Sequence, residues 1–199
     1  MRRLKEILGK EQKIIDYFVE NNIKSFFIRK TDEINKEEFI YVWKNILDYA
    51  YNLNKKNGKI IFYEAFTSVL LKKILDVNDA FYPELNNLCT GAVVSELAYT
   101  LDGSIYANSE SIRVEIFNIG NVNSGYSSVI SNEESLSLIS SSINDSPCLD
   151  NNVFKPYIGN CPVCNYKENG NIILKKSSER AWVLSNIYDY LFKRLIFEM

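Results

Sequence analysis

The chain has 199 residues, of which 46% are hydrophobic and 13% aromatic, a composition that can bury a sizeable core. A net charge of −2 excludes the excess of Lys and Arg on which nonspecific nucleic-acid binding runs, and the absence of histidine excludes Ser/His triads and histidine metal ligands. No apolar run approaches the roughly 20 residues that span a bilayer, and Glu6, Lys10, Glu11 and Lys13 interrupt any signal-peptide core. The expectation is a cytoplasmic protein with no nucleic-acid and no membrane partner. Its four cysteines then stay reduced, so metal ligation is a better use for them than disulfides.

Residues 11–22 carry Ile14, Ile15, Phe18 and Val19 on one side, which predicts a helix ended by Asn21 and Asn22. Residues 25–29, Ser-Phe-Phe-Ile-Arg, predict a short buried strand. Asn35 with Glu38 three residues later is a helix-start signal. The helix it opens bears Phe39, Val42, Trp43, Ile46, Leu47 and Ala50 at i, i+3, i+4 spacing and stops at Gly58. Residues 59–63 predict a second strand, and a third helix follows with Phe66, Val69, Leu70 and Ile74 inward. Tyr41, Tyr49, Tyr51 and Tyr63 read as core and boundary residues.

This alternation is the pattern of a parallel βαβ unit. Two strands leave both sheet edges unpaired, so a companion chain, self-association or the rest of the protein has to cover them.

Near residue 80 the texture changes, which divides the chain into a βαβ part, 1–79, and a second part, 80–199. In the second part Leu97 and Tyr99 before Asp102-Gly103, with Ile105 and Ala107 after it, predict a β-hairpin. Ile112, Val114 and Ile116 predict a third strand. Residues 127–146 leave room for one weak helix through Val129, Leu136 and Ile139. The Pro- and Gly-punctuated stretch 147–171 reads as loop. Ser177 or Ser178 caps a last helix bearing Trp182, Ile187, Leu191 and Leu195.

Cys161-Pro162-Val163-Cys164 has the spacing at which two thiolates grip one tetrahedral ion or cluster. Cys89 and Cys148 stand singly. Together Cys89, Cys148, Cys161 and Cys164 are enough for one Cys₄ site, against the alternative that some are buried thiols packed as small hydrophobes. Glu64, Asp102 and Glu110 lie near strand ends or turns, where a carboxylate can act as a base or simply cap a turn. Arg29 faces an acidic group or ends its strand in solvent. None of these is assigned a catalytic role.

Cys89-Thr90-Gly91-Ala92, Leu97-Ala98-Tyr99, Asp102-Gly103-Ser104-Ile105-Tyr106 and Phe154-Lys155-Pro156-Tyr157 together resemble the SPASM-type domain of radical S-adenosylmethionine peptide maturases. The maturase of the His-Xaa-Ser system is the most similar. The resemblance runs from about residue 11 to 196. It implies an α/β plus α+β fold: the last part of a radical SAM barrel, then a SPASM-like domain with a β-hairpin and a terminal helix.

The resemblance also implies what is missing. No CxxxCxxC, the motif that holds the S-adenosylmethionine-cleaving cluster in this family, occurs in the sequence. Cys89, Cys148 and Cys161 fall at expected auxiliary-cluster positions, and Cys164 is additional. Asn108, Asn151 or Asn152, Ile158 and Ala181 stand where the family pattern has further cysteines. Soft iron and zinc sites prefer thiolate, and none of these side chains supplies one.

Two functions follow as expectations. The first is a noncatalytic relative that binds a peptide or protein partner in peptide maturation. The second is a subunit of a split maturase, with one [4Fe–4S] cluster or zinc on Cys89, Cys148, Cys161 and Cys164 and a companion radical SAM chain supplying the rest. A truncated product with no activity is the third alternative.

Overall fold

Asn35, the residue whose spacing to Glu38 predicts a helix start, opens the longest helix in the computed structural model. Its side chain accepts from the Glu37 and Glu38 amides at 2.8 and 3.1 Å. The structure describes residues 7–28, 30, 34–75, 96–140, 150–158, 162–172 and 179–198. The chain divides into two compact units, residues 1–78 with 193–199, and residues 79–192.

The first unit contains α1 (Glu11–Glu20), β1 (Ser25–Phe26), α2 (Lys36–Asn57), β2 (Tyr63–Glu64) and α3 (Ala65–Leu75). Strands β1 and β2 pair in parallel, Ser25 with Tyr63 and Phe26 with Glu64, with α2 as the crossover between them. Phe39, Val42, Trp43, Ile46 and Ala50 of the predicted stripe are buried. Gly58 closes α2 in the left-handed conformation at φ 62°. Asn35→Ala removes the acceptor for two orphan amides of this helix. It is expected to cost about 1 kcal/mol, measurable as a lowered denaturant midpoint with an unchanged slope.

Both strands are shorter than predicted. The second does not run over 59–63, because Asn54 of α2 engages the approach: its Oδ1 accepts from the Ile61 and Phe62 amides, and its Nδ2 donates to the Phe62 carbonyl. Pairing begins only at Tyr63. The first strand ends at Phe26 because the Ile28 amide turns to the Glu64 side chain, 2.9 Å away. β1 is also half-buried rather than buried, and Phe27 beside it is exposed. Phe26 stacks on Phe18 of α1 and lies tilted against Phe62, with both centroid distances 5.4 Å. In α3, Leu70 and Thr67 are buried, whereas Val69 is half out in solvent, contrary to its predicted inward position. Tyr41 is likewise an exposed residue of α2 and not a core one.

The second unit begins, among the described residues, with the predicted hairpin. β3 (Ala98–Tyr99) and β4 (Ser104–Tyr106) pair antiparallel, and β5 (Asn118–Asn121) adds to β4. The Asp102 carboxylate accepts from the Thr100 hydroxyl and the Ser104 amide, and those two bonds hold its pKa below the usual carboxylate value. A lowered folded-state pKa contributes stability that is present above the ordinary Asp value and is lost as pH falls through the lowered one. Gly103 sits at φ 84°, where an added Cβ would lie 3.1 Å from Asn121 Nδ2 and Val122 Cγ2. Gly103→Ala is expected to cost about 1–2 kcal/mol, seen as faster amide exchange across β3 and β4.

The inward face of β3 is Ala98, not Leu97 and Tyr99; Leu97 packs only partly against the core and Tyr99 is exposed. The third strand is also displaced. Residues 112–116 are not extended, because Arg113 takes φ 69° and tight 3₁₀ turns form at Ser109–Ser111 and Glu115–Phe117. The core residues of this stretch are therefore Phe117 and Ile119.

Two helices, α4 (Tyr126–Ile130) and α5 (Glu133–Ser140), occupy the stretch predicted to hold one. Val129 is buried over Gly120, but Leu136 is exposed and Leu138 is the inward residue. The predicted loop 147–171 contains α6 (Lys155–Ile158) and α7 (Pro162–Asn169). Pro162 is the first helical residue of α7, a position that suits its fixed φ and missing N–H. α8 (Glu179–Glu198) follows, with Ile187 and Leu191 buried as predicted and Ala181, Val183, Leu184 and Tyr188 beside them. The predicted caps Ser177 and Ser178 and the junction near residue 80 lie outside the described residues. The architecture is thus a mostly helical α/β protein with a two-stranded parallel and a three-stranded antiparallel sheet. Among the described residues no helix is long and apolar enough to cross a membrane.

Candidate metal centre

Of the four candidate ligands, Cys89, Cys148 and Cys161 lie outside the described residues. Cys164 is half-buried in the first turn of α7, where its neighbour Val163 is fully buried. It packs against the cluster formed by Ile105, Ala107, Phe117, Ile119, Val129 and Leu138 under the antiparallel sheet. Among the described residues no three Asp, Glu, Cys or His side chains gather as a metal-binding group.

The positions where the family resemblance expects further thiolates are well defined. Asn108 is 1% exposed and caps the first 3₁₀ turn: its Oδ1 accepts from the Ser111 amide at 2.9 Å, and its own amide donates to Ser111 Oγ at 3.0 Å. Ser111 Oγ in turn donates to the Asn108 carbonyl at 2.7 Å. The amide oxygen is thus already used as a helix cap.

The other three positions meet around α8. Asn152 Nδ2 donates to Ser185 Oγ at 2.7 Å, and Ser185 Oγ donates to the Ala181 carbonyl at 2.7 Å. Asn152 Oδ1 accepts from the Phe154 amide, which starts α6. At the far end of that helix Ile158 is buried, and its carbonyl accepts from Arg180 at 3.4 Å. Ala181 is buried too. Phe154 and Tyr157 then pack against Tyr188 and Phe192, with ring centroids 5.2–6.2 Å apart. A junction closed by an aliphatic side chain, an alanine and a completed asparagine–serine relay does not fit a cluster edge, which needs anionic sulfur.

The carboxylates are held locally. Glu64 is 2% exposed, and its two oxygens accept from the Ile28, Phe66 and Thr67 amides and the Thr67 hydroxyl. The same hydroxyl accepts from Trp43 Nε1 at 3.1 Å. Asp102 latches the hairpin turn, and Glu110 is exposed with its backbone carbonyl taken by Lys167 Nζ. Arg29 lies outside the described residues.

A cleft of about 490 Å³ in the first unit, invisible to motif reading, is lined by Lys10, Lys13, Asn45, Asp48, Tyr49 and Asn52 among others. It is built from helix faces far apart in sequence. The Tyr49 hydroxyl donates to Asp16 at 2.7 Å, and that bond, with some burial, raises its pKa above the usual tyrosine value. Asp48 pairs with Arg194, whose guanidinium lies 5.3 Å from the Tyr51 ring centroid.

Known structures share this arrangement of elements. Native anSMEcpe with bound AdoMet superposes over 96% of this chain and 54% of its own, with a TM-score of 0.62 and 19% identity. The fold is similar to that of part of anSMEcpe. Native anSMEcpe with AdoMet and the Kp18Cys peptide gives 0.61 at 18% identity, and with AdoMet and the Cp18Cys peptide 0.59 at 19%. The chain spans about half the length of these anSMEcpe structures. At this identity the likeness is one of fold. No protein-family model and no curated protein matches the sequence.

Proposed function

We propose that this chain is a noncatalytic, degenerate radical SAM/SPASM-type protein that binds a peptide or protein partner in a peptide-maturation system. The observation that carries this reading is the packing at Asn108, Asn152, Ile158 and Ala181. Each is engaged in a cap, a relay or the core, where the family pattern has cysteine. The peptide class is drawn from anSMEcpe, which has been solved with AdoMet and peptides.

The test is S-adenosylmethionine cleavage after chemical reduction under anaerobic conditions. No 5′-deoxyadenosine above a protein-free control is the expected result; turnover by the purified chain alone would sink the noncatalytic reading.

One observation favours the split-maturase reading. Cys164 lies in the first turn of α7, and thiolates are stabilised near helix N-termini. In that reading Cys89, Cys148, Cys161 and Cys164 hold one cluster or zinc, and a companion chain supplies the motif that this sequence lacks.

A further inference from the structure

We draw no further inference here: the strongest candidate, the cleft where α2 meets the first turn of α1, sets Glu11 and Asp48 among Lys10 and Lys13 beside a helix N-terminus, and nothing in the structure shows what it would hold.

Discussion

Replacing Glu64 by Gln destabilises the first unit by about 2–4 kcal/mol, because hydrogen bonds to a buried charged group are worth ~1.5–3 kcal/mol each and their loss strands the partners. Glu64 Oε1 accepts from the Ile28 and Phe66 amides, and Oε2 from the Thr67 amide and hydroxyl. Whichever way a glutamine amide turns, its NH₂ faces at least one backbone N–H that now donates to the carboxylate. The loss is shared between the end of β1 and the first turn of α3, the two segments that Glu64 ties together. Faster hydrogen exchange at the Ile28 and Thr67 amides, with a lowered unfolding midpoint, is the expected readout. A change below about 0.5 kcal/mol would mean that the buried carboxylate does not organise the parallel pair.

Phe117→Ala is expected to cost about 3–5 kcal/mol, the range for removing a buried aromatic ring. The ring is 1% exposed, lies in the cluster under the antiparallel sheet and meets Tyr166 of α7 edge-on at 5.6 Å. Its carbonyl accepts from the Ala107 amide at 3.1 Å, so the same residue ties a 3₁₀ turn back to the end of β4. Near-ultraviolet circular dichroism and denaturant unfolding measure the effect. A cost under about 1 kcal/mol would show that this cluster is not the core of the second unit.

The two long helices and the hairpin were legible because their signals are local. Asn35, the stripe of α2 and Gly58 act within a few turns, and Asp102-Gly103 acts within one. The strand limits were not legible, because they are set by side chains distant in sequence. Asn54 takes the backbone of Ile61 and Phe62, and Glu64 takes the amide of Ile28. The alternation of Ile112, Val114 and Ile116 was misleading because it carries no warning that Arg113 adopts a left-handed conformation. The stretch 147–171 reads as loop because Pro marks breaks, yet the same residue favours a helix start at Pro162.

The candidate site divides the same way. Sequence identifies which positions lack cysteine, but not that Asn152, Ser185 and Ala181 form a relay or that Asn108 and Ser111 cap one another. Those contacts join residues whose individual identities carry no chemical signature. The cleft beside Tyr49 is unreadable for the same reason, since its lining residues are ordinary polar surface types until α1 and α2 bring them together.

Anaerobic purification followed by iron, sulfide and zinc quantitation tests the central claim most directly. The account predicts metal well below one equivalent per chain, unchanged in Cys161→Ser and Cys164→Ser, from a protein that remains folded. About one tetranuclear cluster, or one zinc, per chain that disappears in either variant would contradict it and establish a metal-bearing subunit instead.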